Sequence, residues 1–91
     1  MKALHLTIHG RVQGVWFRAT TREMAQKYRI MGWVRNTTDG SVEAHIQGEE
    51  SAVDKMLSWC RQGPPGARVD DVDVRDVDLM DDYKAFNIRY Y

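Results

Sequence analysis

The sequence is short of several things, and each shortage removes a class of explanation. It has one cysteine, Cys60, so no internal disulfide can staple the fold, and a lone thiol suits a reducing compartment. It has no net charge: thirteen basic residues cancel thirteen acidic ones, and no global field draws the chain to nucleic acid or to a membrane surface. It has no long apolar run. Residues Met1 to His9 alternate apolar and polar where a signal peptide would be unbroken, and nothing approaches the length of a bilayer span. A cytoplasmic location is the expectation. No repeat, linker or low-complexity tract divides the chain, and 91 residues leave room for one domain over 1–91.

What is present is periodic. Leu4, Leu6 and Ile8 alternate with His5, Thr7 and His9, the pattern of a strand with one buried face. A turn over Gly10 to Trp16 follows. Phe17, Thr21, Met24, Ala25 and Tyr28 recur at helical spacing, which predicts a helix over about Phe17 to Tyr28. Gly32 to Asn36 reads as a strand, Thr38-Asp39-Gly40 as a hairpin turn, and Val42, Ala44 and Ile46 as the buried face of the next strand. The stripe Val53, Met56, Leu57, Cys60 predicts a second helix over Glu49 to Arg61, stopped by Gly63-Pro64-Pro65-Gly66.

Val69, Val72, Val74, Val77 and Leu79 then change parity twice, which predicts a bulge or bend. Phe86, Ile88 and Tyr90 form a last short strand. The order βαββαβ with a short extra C-terminal strand is that of a ferredoxin-like α+β sandwich, two helices on one face of a mostly antiparallel sheet. That fold decides nothing about chemistry.

The chemistry is concentrated in I-H-G-R-V-Q-G-V-W-F-R, residues 8 to 18. A glycine-bracketed turn between a strand and a helix points backbone N–H groups at one spot beside the positive end of the helix. The guanidinium of Arg18 can close over the same spot, which makes a local cradle for a phosphate-like anion. A nucleotide P-loop is excluded because Val15 and Trp16 stand where lysine and a hydroxyl residue are needed. A thiol phosphatase is excluded because Cys60 lies far from the loop, and the pair Gly10/Gly14 does not supply the glycines of a dinucleotide fingerprint. The cradle therefore has no nucleophile of its own. Asn36, at a strand end, carries a neutral amide that can orient a water without adding charge.

The two stretches G-R-V-Q-G-V-W-F-R and G-W-V-R-N-x-x-x-G-x-V-x-x-x-x-x-G resemble the motif pair of the acylphosphatase family, and the likeness covers nearly the whole chain. It implies hydrolysis of acyl phosphates to a carboxylate and inorganic phosphate, without cofactor, metal or covalent intermediate. By that likeness Arg18 binds the phosphoryl oxygens and Asn36 positions the attacking water. The loop amides of Arg11, Val12, Gln13, Gly14, Val15, Trp16 and Phe17 complete the cradle, which would also take inorganic phosphate or sulfate. A monomer with a small-molecule substrate is expected, and neither nucleic acid nor membrane as partner. The alternative is a ferredoxin-like module that binds phosphate or carbamoyl phosphate without turning it over. An RNA-binding reading lacks the exposed strand aromatics and basic surface it requires.

The remaining conspicuous residues receive structural readings. Alternate strand positions are about 6.6 Å apart, which puts His5 and His9 too far apart to share a metal. His5, His9 and His45 are expected to be solvated. Cys60 is expected to be an inert core thiol, and the acids from Asp70 to Asp82 a solvated strand face. Trp33 and Trp59 are assigned no role.

Overall fold

In the computed structural model, which describes residues 1–90, seven elements follow one another. They are β1 (Lys2–Arg11), α1 (Phe17–Lys27), β2 (Met31–Asn36), β3 (Val42–Gly48), α2 (Glu50–Gln62), β4 (Arg68–Asp76) and β5 (Phe86–Arg89). The expected elements are all there, with ends displaced by about one residue. The exceptions are β1, which runs through Gly10 to Arg11 and shortens the expected turn to Val12 through Trp16, and β4, which ends at Asp76 short of the expected Leu79, so that Asp78, Asp81 and Asp82 lie beyond the strand.

The five strands form one sheet in the order β4-β1-β3-β2-β5. Neighbours are antiparallel except β2 and β5, which run parallel. Leu4, Leu6, Ile8, Val34, Val42, Ala44 and Ile46 meet Phe17 and Ala25 of α1 and Val53, Met56 and Cys60 of α2 in one buried cluster. This is the ferredoxin-like sandwich. Among the described residues no helix is long and apolar enough to cross a membrane.

The parity break in β4 is a bulge. His9 pairs with Asp71 but Gly10 pairs with Val69, so Asp70 is the extra residue. A Cβ on Gly10, at φ 132°, would fall 2.1 Å from the carbonyl oxygen of Arg68. Only glycine lets the two backbones approach this closely at the mouth of the loop.

Helix α1 ends in a Schellman motif: Ile30 N–H donates to the Ala25 carbonyl at 2.8 Å and Arg29 N–H to Gln26 at 3.3 Å. The left-handed position is occupied by Arg29, at φ 57°, where glycine is the usual residue.

The face of the sheet away from the helices is not open. The segment after β4 crosses it, and Gln47 grips Met80 twice, accepting from its N–H and donating to its carbonyl, each at 2.9 Å. The Tyr83 ring lies 5.0 Å from that of His45 and its hydroxyl accepts from Trp33 Nε1 at 2.7 Å. His45 is therefore buried and bonded to Gln47 Oε1 at 2.8 Å, contrary to the expectation that it is solvated. His5 is half-buried on Glu43 at 2.8 Å, and His9 bridges Asp73 at 3.0 Å and Ser41 Oγ at 3.1 Å. The three histidines keep separate partners, and among the described residues no cluster of metal-ligating side chains forms. The acids of β4 are exposed, as the alternation predicts.

Candidate active site

Between β1 and α1 two residues are left-handed, Gly14 at φ 74° and Trp16 at φ 65°. A Cβ on Gly14 would meet nothing within 4 Å, so glycine answers to conformation there and not to space. The left-handed region costs an L-residue roughly 1–2 kcal/mol. Trp16 recovers none of that by burial, being 82% exposed. Backbone held against its preference in this way concentrates at functional loops.

Left-handed residues within a turn direct successive N–H groups toward one concave side. Among the described residues, the amides of 13–17 donate to no backbone carbonyl. Trp16 caps α1 without a side-chain hydrogen bond, and the first helical turn carries no acid. The positive end of the helix is thus uncompensated by the protein itself.

Arg18 stands in that first turn. Among the described residues it makes no ion pair. Its guanidinium carbon lies 5.0 Å from the centroid of the Tyr90 ring. A ring over the guanidinium face leaves the in-plane N–H groups free to fork onto an anion.

Asn36 closes β2 opposite Val42, and parity with Val34 turns its side chain toward the helices. Its Oδ1 is buried without a hydrogen-bond partner, the only such side-chain atom among the described residues. A buried acceptor without a partner calls for water or a ligand. Arg18, Asn36, Val12, Gly14 and Phe17 line one cavity of about 360 Å³. Trp16, Ala19, Ile88 and Tyr90 make up the rest of its wall.

The other loop residues of the expected cradle lie outside that cavity. Arg11 is the exposed last residue of β1, paired with Arg68. Val15 packs against the core. Gln13 turns to the β2–β3 hairpin, where its Nε2 donates at 2.8 Å to the carbonyls of both Thr37 and Ser41. That hairpin is itself tightly knotted. Thr37 N–H donates to the Ser41 carbonyl at 2.9 Å, Ser41 N–H donates to Asp39 Oδ1 at 3.1 Å, and the Thr37 hydroxyl donates to the same carboxylate. The Thr37 hydroxyl foremost, then Ser41, holds the Asp39 carboxyl below its ordinary value. Gln13 therefore couples the loop to the hairpin that carries Asn36.

Sequence reasoning missed Ile88 and Tyr90. Their alternation with Phe86 announces a strand, but no local signal says that this strand runs beside β2 and so reaches the cavity.

Fold and site together define a ferredoxin-like α+β domain whose first strand–helix loop and helix N-terminus face a recess of about 360 Å³. The profile of the acylphosphatase family matches residues 4–88. An acylphosphatase of Thiobacillus denitrificans is 48% identical, over 98% of this chain and 98% of its own. One of a Roseiflexus species is 51% identical, over 97% of this chain and 95% of its own. The crystal structure of acylphosphatase from Bacillus subtilis superposes with a TM-score of 0.94 at 33% identity, covering 99% of this chain and 100% of that one. The chain belongs to the acylphosphatase family. It is an enzyme of that class, and family and fold support hydrolysis of acyl phosphates as its reaction.

Proposed function

We propose that this enzyme cleaves acyl phosphates by direct attack of water on phosphorus, with Arg18 and the loop amides holding the phosphoryl group and Asn36 orienting the water. The observation that carries the reading is the buried, partnerless Oδ1 of Asn36, in a cavity where Arg18 is the only charged lining residue among those described. An acceptor so placed takes a hydrogen from a water and turns the water's lone pair outward.

Phosphoryl transfer spreads charge over three equatorial oxygens, so catalysis rests on positioning and electrostatic stabilisation. A planar guanidinium meets two of those oxygens together, and each charge-assisted hydrogen bond contributes roughly 1.5–3 kcal/mol. The new bond joins water oxygen to phosphorus, and the bond from phosphorus to the acyl oxygen breaks, releasing a carboxylate. A non-bridging phosphoryl oxygen accepts the proton that the water loses, so both hydrogens end on phosphate. No enzyme nucleophile enters, and no metal or cofactor is required by these steps. Residues 1–91 work in this reading as one cytoplasmic domain, a monomer, with inorganic phosphate or sulfate as a competitor for the cradle.

The test is phosphate release from acetyl phosphate in the presence of a chelator, by the wild-type protein and by Arg18→Lys. Wild-type turnover with loss of most activity and most phosphate affinity in Arg18→Lys is expected. Binding of phosphate without turnover by the wild-type protein would instead establish a non-catalytic binding module.

A further inference from the structure

His9 lies on β1 just before the strand enters the loop, and its imidazole has a partner on either side. Nε2 is 3.0 Å from Asp73 Oδ2 of β4, and Nδ1 is 3.1 Å from Ser41 Oγ of the β2–β3 hairpin. A carboxylate only accepts, so Nε2 carries a hydrogen toward Asp73 whether the ring is neutral or charged. Nδ1 alone then differs between the two states. In a neutral ring it accepts from the Ser41 hydroxyl; in a charged ring it donates to the same oxygen.

Ser41 is the residue on which the hairpin is knotted, and it is 4% exposed. Its carbonyl accepts from Gln13 Nε2 at 2.8 Å and from Thr37 N–H at 2.9 Å, and its N–H donates to Asp39 Oδ1 at 3.1 Å. Its hydroxyl has a second acceptor in the same carboxylate. The Thr37 hydroxyl foremost, then the Ser41 N–H and hydroxyl, hold the Asp39 carboxyl below its ordinary value, and His9 acts in the same sense.

One hydroxyl hydrogen cannot serve both acceptors. With His9 neutral it points to Nδ1. With His9 charged, Nδ1–H occupies the oxygen's lone pair and the hydrogen turns to Asp39. That state has one hydrogen bond more and sets a cation between two carboxylates, so it is the tighter of the two. The other charged groups on this side are Asp71, opposite His9 on β4, and Glu43 of β3, which Arg35 and His5 already engage.

From this we infer that His9 is a positioning residue for the reaction: taking up a proton, it returns the Ser41 hydroxyl to Asp39 and tightens the hairpin that carries Asn36. His9 does not line the cavity, so it acts through Ser41 and not on the substrate. The inference rests on the water-orienting role of Asn36 proposed above.

The experiment measures kcat and KM for acetyl phosphate from about pH 5 to about 8, the span in which histidine changes charge. It uses the wild-type protein, His9→Gln, Ser41→Ala, Asn36→Ala and the double variant of His9→Gln with Asn36→Ala. Wild-type kcat should fall by about two- to fivefold as pH rises, the effect of roughly one net hydrogen bond, at nearly constant KM. His9→Gln and Ser41→Ala should lose that step. Asn36→Ala should lose it as well, and adding His9→Gln should then change nothing further. Each step is a ratio within one variant, and melting curves at both ends of the range check that the variant stays folded. A flat or rising wild-type profile, a step in KM instead of kcat, or a step that His9→Gln or Ser41→Ala retains overturns the role of His9 alone. Wild-type turnover in Asn36→Ala overturns the water-orienting reading and this inference with it.

Discussion

Gln13 Nε2 donates to the carbonyl of Ser41 at 2.8 Å, and through it the loop between β1 and α1 is fastened to the hairpin that follows Asn36. Arg18 and Asn36 come from different elements, so their spacing depends on such a fastening. Gln13→Ala should lower kcat by about tenfold or more, since small misplacements of positioned groups cost up to about 10²-fold. Stability should fall by only about 1–2 kcal/mol. Steady-state kinetics beside a urea titration checks both, and a wild-type kcat would show that the loop holds its place unaided.

Asn36→Ala separates catalysis from stability. Turnover should fall by about 10²-fold or more, by analogy with loss of one preorganised polar group, while phosphate affinity is largely kept. The substitution also removes the partnerless buried Oδ1, so the melting temperature should hold or rise. Normal turnover in this variant would remove Asn36 from the mechanism.

Glu43 accepts from Arg35 Nε at 2.5 Å and lies 2.8 Å from His5 Nε2. Burial works to raise its pKa, but the hydrogen bonds from Arg35 and His5 outweigh it, and the carboxyl sits below its ordinary value of 4.5. A depressed folded-state pKa stabilises the fold above the unfolded value, and that contribution is lost as pH falls through the folded one. Urea titrations from neutral pH downward should show stability falling below about the ordinary value of 4.5. In Glu43→Gln the fall should be shallower; identical slopes would place the acid sensitivity elsewhere.

Burial pushes the Cys60 thiol up to about 12. At pH near 8 the native protein should therefore be silent to a thiol reagent and react fully in denaturant, because only the thiolate is nucleophilic. Fast reaction of the native protein would show that the α2 face opens readily.

Arg29→Gly should stabilise the protein by about 1 kcal/mol, by relieving a left-handed residue at a helix end where glycine is preferred. For a domain of this size that raises the melting temperature by roughly 4–8 °C. A lowered melting temperature would mean that the arginine side chain contributes more than its backbone loses.

Much of this molecule could be read in one dimension. The alternation of Leu4, Leu6 and Ile8 and the stripe Val53, Met56, Leu57, Cys60 each report one buried face, and these faces meet in the core. Even the spacing of Val69 and Val72 announced the bulge now found at Asp70. Arg18 and Asn36 line one cavity, and each was singled out because it sits where an element begins or ends. His45 was not, because its strand alternation looks solvated until Tyr83 and Met80 arrive from a non-periodic segment more than thirty residues later. Gln13 was named for its loop amide, but its side-chain tie to the hairpin escaped for a related reason: the partners are backbone carbonyls, which carry no residue signature.

Because β5 runs parallel to β2 at the sheet edge, the two sides of the cavity are inherited separately. One side comes from the β1–α1 loop and the start of α1, with Asn36 of β2 beside it; the other is Ile88 and Tyr90. Ile88 and Tyr90 lie far along the chain from the loop, so substitutions there alter the cavity wall without changing the loop's own sequence. The wall at Ile88 can therefore drift between descendants of one ancestor while the loop sequence stays the same, whereas a change at Tyr90 also reaches Arg18 through its ring contact.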